Sequence, residues 1–423
     1  MFSSIGSISL TCKSKKRIFT TVEVNKINKI YYTCKPFKTV VFMNNKNKIV
    51  LATCFSGIGA IEQAILRLGI DHEIAFACDN GGRTINCDYD IELQNVRKLK
   101  NTESKKKYVD DLYKTNSKQK NFVKESYLAN YKISEDHFFE DIKLLDGTDF
   151  ENKIDLFVGG SPCQSFSIAG SRGGFEDTRG TLFYDYVRLI KEIKPKIFIY
   201  ENVHGVLSHD NKRTWNTMCN VFDELGYHYK WDILNAKDYG IPQSRRRLFV
   251  VGFRDSNENI KFRFPKTTEL NFSMQDFLED TTAQGSLLSV NGKLKIIDNK
   301  VGIVEERYYL SPKLLKYCLS PGTKNFMHHN AKIDLPIARA LLSSMGNSHR
   351  SSVNNYVTTN ERVRALTVRE VHRLMGFDDD YKIIVSKAQA YKQAGNSIVV
   401  DVLISILLNI YKGGTKKYQE KKI

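Results

Sequence analysis

The chain has no uninterrupted run of about 18 apolar residues, the length a helix needs to cross a bilayer, so no membrane span is expected. Its first residues lack the basic segment and apolar stretch of a secretory leader. The eight cysteines (Cys12, Cys34, Cys54, Cys78, Cys87, Cys163, Cys219 and Cys318) never form a Cys-x-x-Cys pair. That argues against a zinc site, and no metal is expected; scattered cysteines in a large chain suit a reducing cytosol. No internal repeat is evident. Acid is in short supply: 47 Asp and Glu stand against 64 Lys and Arg, a formal net charge of +17. So basic a chain is expected to meet a polyanion, nucleic acid ahead of an anionic membrane. A Lys- and Asn-rich composition alone yields the same charge. Arginines inside motifs are the sharper sign, because the planar guanidinium grips phosphates and base edges.

What the chain does have is a core and a rhythm. It is 41% hydrophobic over 423 residues. Strand-like runs at 49–55, 73–78, 154–158, 196–200, 227–234 and 247–253 alternate with helix-like ones. In one of these, Leu182, Phe183, Tyr186, Leu189, Ile190 and Ile193 keep helical spacing. The alternation predicts a doubly wound α/β sheet with its sites at the carboxyl ends of the strands. Residues 43–264 are expected to form this domain, interrupted at about 98–135 by a Lys-rich polar segment that reads as a surface insertion. The rhythm breaks up over 265–360, expected as a smaller separate domain. Residues 361–423 hold an organising motif and an apolar helix that returns to the first domain. Residues 1–42, rich in Lys and Arg with the single acid Glu23, are expected to be a dispensable basic extension, with Met43 an alternative start. An ordered extra strand or a DNA-contacting arm competes with that reading.

Several motifs fall at predicted strand ends. Phe55-Ser-Gly-Ile-Gly59 follows the first strand, where glycines permit a tight turn and let backbone N–H groups approach a ligand. It is not Gly-x-Gly-x-x-Gly, since Glu62 stands at the last position, and alone it also fits a plain structural turn. The second strand ends in Cys78-Asp79-Asn80, an acid placed to accept ribose hydroxyls. Gly159-Gly-Ser-Pro-Cys163-Gln164-Ser165 follows an apolar run, so a thiolate at Cys163 would be an exposed nucleophile on a rigid support. Glu201-Asn202-Val203 ends another strand, Gln243-Ser-Arg245-Arg-Arg247 precedes a third, and Gln393-Ala-Gly-Asn396-Ser397 stands before the last apolar helix.

In this order, over roughly residues 48–410, these motifs resemble the cytosine-C5 DNA methyltransferases of bacterial restriction–modification systems. The resemblance implies a Rossmann-like methyltransferase sheet with a smaller target-recognition domain. It implies S-adenosyl-L-methionine as cofactor and double-stranded DNA as partner. A restriction endonuclease of the same specificity, a monomeric state and a cytosolic location are also implied. By resemblance, Cys163 attacks C6 of a flipped-out cytosine, Glu201 bonds or protonates N3, and Arg245 holds O2 and the nucleophile region. Arg247 pairs with structure or phosphate, Gln243 braces its loop, Asn202 holds the loop shape, and Gln164 flanks the nucleophile. For the cofactor, Phe55 stacks on adenine, Gly57, Ile58 and Gly59 pass beneath the methionine part, and Asp79 takes the ribose. Asp141 and Ile142 meet the adenine edge, Leu182 its other face, and Pro162, Asn396 and Ser397 close the pocket. Two departures show: Thr53 stands where the strand usually carries an acid, and Asp79 where Glu is common.

The Gly- and Arg-rich stretch 165–181 would close over DNA through Ser165, Arg172 and Arg179. Base reading falls to the variable segment before residue 361, with Arg350 directed at guanine and Tyr356 beside it. Thr367, Arg369 and Glu370 match the motif that organises this region, structural and phosphate-contacting. Three other readings stay open: a tRNA-cytosine methyltransferase of the same fold, a catalytically dead DNA-binding relative, and a nicotinamide-dependent oxidoreductase. The first is marked by a Cys-Phe-Thr element that is absent here. The second usually loses the cysteine or the acid, both of which are present. The third leaves Cys163 and Arg245 unexplained.

Overall fold

In a computed structural model, residues 48–162, 182–279, 287–290, 293–296, 304–320, 332–347 and 349–412 are described. All lie in the second of the two units into which the chain divides, Phe42–Ile423. Its centre is a seven-stranded sheet. Strands β1 (Ile49–Cys54), β2 (His72–Cys78), β3 (Phe138–Phe139), β4 (Leu156–Gly159) and β5 (Ile197–Val203) run parallel, in the order β3-β2-β1-β4-β5. Beyond β5, the order continues with a strand from late in the chain and then β6 (His228–Asn235). After the two-residue β7 (Gln243–Ser244), that late strand, β8 (Arg246–Phe253), lies antiparallel between β5 and β6. The chain leaves β1 in both directions, so β1 and β4 frame a switch point at which the loops diverge and open a crevice.

The strands read as near-continuous apolar runs because both faces are covered. Leu51, Val158, Ile199 and Val251 point to one side, and their neighbours Ala52, Phe157, Phe198 and Val250 to the other. On the first side pack α1 (Ala60–Leu68) and α11 (Val400–Lys412); on the second, α5 (Leu182–Ile193) and α6 (Arg213–Glu224). The first and last of these helices are pinned by Arg67 and Asp401 at 2.8 Å, the arginine side chain being almost wholly buried.

By length and composition, Lys387–Tyr411 could cross a membrane. In the fold it is two helices, α10 (Lys387–Asn396) and α11, separated at Ser397. Leu403, Ile406 and Leu407 are buried in the core beside Ile61 and Ile65.

Two regions differ from the sequence expectation. The Lys-rich segment at 98–135 is more than a surface insertion. With α2 (Tyr89–Arg97) before it, it folds into α3 (Thr102–Asn116) and α4 (Phe122–Asn130). Asn101 caps α3 through the Ser104 N–H at 2.9 Å, and Tyr108, Val109, Leu112 and Tyr113 make its apolar stripe. The recognition segment was expected to stand apart. It holds a hairpin, β9 (Leu287–Val290) and β10 (Lys293–Ile296), the helix α8 (Pro312–Leu319), and β11 (Ala338–Arg339), which pairs with β7. Yet its Met274, Phe277, Tyr308, Ala338 and Leu341 join the same apolar cluster as β1 and α11. A second hairpin, β12 (Tyr356–Thr359) with β13 (Arg362–Ala365), leads into α9 (Val368–Arg373).

Candidate active site

β4 ends on Gly159-Gly160-Ser161-Pro162, beside the end of β5. A Cβ on Gly160 would lie 2.7 Å from the Glu201 carbonyl oxygen and 2.9 Å from Oε2 of its carboxylate. Only glycine lets the two strand ends come this close. Asn202 is buried; its amide donates to the Ser161 carbonyl at 3.2 Å and to the Tyr200 hydroxyl at 2.7 Å. The Ser161 and Tyr200 hydroxyls are themselves 2.7 Å apart. The backbone is thus held at Ser161, and Pro162 after it is exposed. Cys163, Gln164, Ser165, Arg172 and Arg179 lie outside the described residues.

The Glu201 carboxylate is mostly buried and meets Arg247 Nε at 3.1 Å. Burial raises its pKa above the ordinary carboxylate value, with Arg247 and then Arg245 opposing. Here the structure reverses an expectation. Arg245 does not face the nucleophile region: its guanidinium donates to the carbonyls of Leu341, Gly395 and Ser397 at 2.8, 2.9 and 2.8 Å. It is buried and staples the recognition segment and α10 to the sheet. Arg247, expected to pair with structure or phosphate, is the arginine on the acid. The cause is local: Arg245 sits in the break between β7 and β8, so strict strand alternation does not apply there. Gln243 braces as expected, bonding Leu374 and Leu341 backbone.

At the β1–β2 end the chain turns sharply. Phe55 adopts φ 53°, costly for a residue with a side chain, and Gly57 adopts φ 54° with no atom within 3.9 Å of a would-be Cβ. Both Asp79 oxygens accept backbone N–H groups, from Gly57 at 2.9 Å and Gly81 at 2.8 Å. Each oxygen keeps a further lone pair, so a diol can still be accepted. Asp141 is buried, receiving the Tyr113 hydroxyl at 2.6 Å and the Lys143 N–H at 3.0 Å. Lys392 of α10 reaches this end, its Nζ 3.2 Å from a would-be Cβ on Gly82.

Not every expected contact is available. Ile58 and Ile142 are buried in the two cores. Leu182 is half-buried at the start of α5, Asn396 is exposed, and Ser397 is buried with its carbonyl taken by Arg245. The acid missing at Thr53 is supplied from α1: Glu62 Oε1 accepts Thr53 Oγ1 at 3.1 Å and the Tyr127 hydroxyl at 2.6 Å. Burial lifts the Glu62 pKa to about 7.

In the recognition segment, Arg350 is half-buried. Its guanidinium stacks 4.0 Å from the Tyr317 ring centre and donates to Ser320 Oγ at 2.7 Å. Tyr356 and Thr367 are corrected from DNA contacts to structure. Tyr356 is buried in β12, and Thr367 caps α9 in a reciprocal box with Glu370. Glu370 forms a wholly buried pair with Arg364 at 2.8 Å. Arg369 donates to the carbonyls of Asp378 and Tyr381. Among the described residues no group of three or more His, Cys, Asp and Glu side chains gathers as a metal site. Sequence reasoning missed Tyr113, Asn121, Tyr127 and Tyr131, all from the Lys-rich segment. The helical stripe of α3 was there to read, but not what it packs against.

A family model described as C-5 cytosine-specific DNA methylase matches residues 91–412. The type II methyltransferase M.HhaI of Haemophilus parahaemolyticus is 37% identical over 260 residues, 60% of this chain and 75% of its own. M.NgoBI of Neisseria gonorrhoeae is 35% identical over 290 residues, 67% of this chain and 80% of its own. M.HaeII of Haemophilus aegyptius, at 32% over 374 residues, spans 86% of this chain and 94% of its own. Among solved structures, S. pombe Dnmt2 methyltransferase superposes with TM-score 0.55 at 17% identity, over 86% of this chain and 98% of that one. The Entamoeba histolytica methyltransferase EhMeth does so at 0.59 and 16%, over 88% and 100%. These structural likenesses speak for the fold alone. The family match begins only after the Gly-rich turn, whose place in the fold comes from the sheet it completes. It then runs unbroken through the segment where the α/β rhythm fails, to the end of α11, and on that ground the chain belongs to the C-5 cytosine-specific DNA methylases and is a DNA cytosine-5-methyltransferase.

Proposed function

We propose that the chain methylates C5 of one cytosine, flipped out of a specific double-stranded DNA sequence, through a covalent bond between Cys163 and C6. The observation that carries this reading is the meeting of Gly160, Glu201 and Arg247 at the β4 and β5 ends, with the backbone held at Ser161, two residues before Cys163. Attack of the Cys163 thiolate on C6 pushes electron density to C5. Glu201, kept protonated to higher pH by burial, donates to N3 and draws that density. Arg247 takes the role expected of Arg245, holding Glu201 and reaching toward the base O2. Once C5 has gained the methyl group, its proton leaves, the C6–S bond breaks and the thiolate returns. Other cysteines suit the role poorly: burial pushes the thiols of Cys78, Cys219 and Cys318 up, away from thiolate.

S-adenosyl-L-methionine, when bound, supplies the electrophilic methyl. The residues present fit it. Gly57 leaves open space where a side chain would stand, and Asp79 and Asp141 offer carboxylate lone pairs suited to a ribose diol and an exocyclic amine. The family and the type II relatives favour DNA over tRNA as substrate. The type II designation of these relatives is in keeping with pairing with a restriction endonuclease of the same specificity, and we propose in addition that the protein acts as a monomer in the cytosol.

Bisulfite sequencing of DNA from a methylation-free host expressing the chain should show methylcytosine in one sequence context. A duplex carrying 5-fluorocytosine in that context should trap an adduct on Cys163, since fluorine cannot leave as a proton does. Cys163→Ala should lose transfer and trapping while still binding DNA. An adduct on another cysteine, or methylation of tRNA alone, would overturn the reading.

A further inference from the structure

The connection from β2 to β3 carries α3 and α4, and their polar side chains run straight to the two acids assigned to the cofactor. Tyr113, almost fully buried, gives its hydroxyl to Asp141 Oδ2 at 2.6 Å, while the Lys143 N–H holds the other oxygen at 3.0 Å. Its ring lies under the Arg83 guanidinium, 4.8 Å from the ring centre. Arg83 is ion-paired with Glu140 and donates to the Gln119 carbonyl at 3.2 Å. Asn121, at the start of α4, donates to Glu140 at 2.8 Å and to the backbone carbonyl of Asp79 at 2.8 Å. Its Oδ1 would lie 2.4 Å from a Cβ on Gly81, the residue whose N–H holds the Asp79 carboxylate. One helix pair thus grips the Asp141 side chain and the Asp79 turn together.

A carboxylate has about four acceptor positions. With two of Asp141's filled from fixed directions, the remaining two are fixed as well. A ligand N–H then meets an acceptor already oriented and avoids the entropy of orienting it. A ligand that offers an acceptor at the same place meets repulsion.

Resting on the cofactor assignment above, we infer that the α3–α4 segment is a cofactor-selectivity element. In it, Tyr113 is a positioning residue that aims Asp141 at the exocyclic amine of an adenine-type base. Asn121 steadies the ribose side through the Asp79 turn.

The full chain would be titrated calorimetrically with S-adenosylhomocysteine and with its hypoxanthine counterpart, in which a carbonyl replaces the amine. The intact protein should prefer the adenine ligand. Tyr113→Phe should raise the Kd of the adenine ligand by about tenfold and that of the hypoxanthine ligand by less than about twofold, shrinking the preference. KM for S-adenosyl-L-methionine should rise with it, and kcat should move far less. Asn121→Ala should raise both Kd values by a similar factor and leave the preference alone. Equal weakening of both ligands by Tyr113→Phe, or no change in either, would overturn the inference. Should that variant not fold, Asp141→Asn serves instead: a preference kept intact by it overturns the inference, and a lost one supports it. Failure of the intact protein to bind S-adenosylhomocysteine at all would instead sink the cofactor assignment.

Discussion

Among the described residues, the working groups at the β4–β5 end of the sheet meet few side-chain partners, whereas at the β1–β2 end each is held by several. Among the described residues Glu201 is ion-paired with Arg247. Asp79 and Asp141 each carry two donors, and the turn beside them is further tied by Tyr131, whose hydroxyl bonds the Ile58 and Gly59 carbonyls at 3.0 and 2.6 Å. The difference matches the tasks proposed for the two ends. A pocket that binds the same small molecule in every cycle gains from groups fixed in advance. A group that must exchange a hydrogen bond with an arriving base needs capacity left over, and a raised pKa is the cost of keeping it out of water. The first end is fixed by side chains; the second by backbone close approach at Gly160 and by the Asn202 amide.

The sharpest way to break this comparison is at the acid itself. Glu201→Gln should lower kcat by about 10²–10⁴-fold with the affinity for S-adenosylhomocysteine unchanged. A matching loss of cofactor affinity would mean that the two ends are not separable. The pH profile sharpens the point. Activity needs protonated Glu201, so it should fall as pH rises through that group's raised pKa. Arg247→Ala, which removes the main opposing charge, should cut the rate and move the alkaline limb to higher pH. A limb that stays or moves down would reject Glu201 as the titrating group.

Next in size, Arg245→Met should cost about 3 kcal/mol or more of stability, because three buried carbonyls lose their donor. Arg247→Ala should cost much less, so thermal melts of the two variants test the exchange of roles directly. Gly160→Ala should cost about 1–3 kcal/mol and slow turnover, since backbone at 2.7 Å cannot yield as a flexible side chain can. Full activity in that variant would show that the strand ends move apart freely.

The smallest effect belongs to the rigid end. Glu62 is raised to about 7 from 4.5, so its contribution to stability is fully present below about pH 4.5 and is lost as pH rises through about 7. Glu62→Gln should flatten the fall in Tm between pH 5 and pH 8, a change of about 1–3 kcal/mol in the slope's span. An unchanged slope would place the titration elsewhere.

The alternating rhythm announced the sheet because strands covered on both faces leave unmistakable apolar runs. The ends of β1, β2, β4 and β5 were legible for the same reason, as motifs fall where such runs stop. What was not legible depended on contacts distant in sequence. Arg245 and Arg247 look alike in Gln-Ser-Arg-Arg-Arg, and only a break between two strands separates a staple from a partner of the acid. Tyr356 and Thr367 carry groups able to meet DNA, but burial and a helix cap claim them first. The Lys-rich segment hid its role because its outer face supplies most of its composition, while Tyr113 and Asn121 act from the inner one.

The pinning of α1 to α11 by Arg67 and Asp401 has a consequence for how the protein comes into being. One face of the central sheet is covered by the first and the last of the described helices. While the chain is being synthesised, β1, β4 and β5 emerge with only α1 and the segments after it to cover that face, and the part that α11 covers in the finished fold waits for residues 400–412. Such long-range closure makes folding slow and exposes sticky surface meanwhile. Ser397, whose carbonyl Arg245 holds, arrives in the same late stretch. Arg245, made about 150 residues earlier, thus gains two of its three carbonyl partners, Gly395 and Ser397, only when that late stretch arrives.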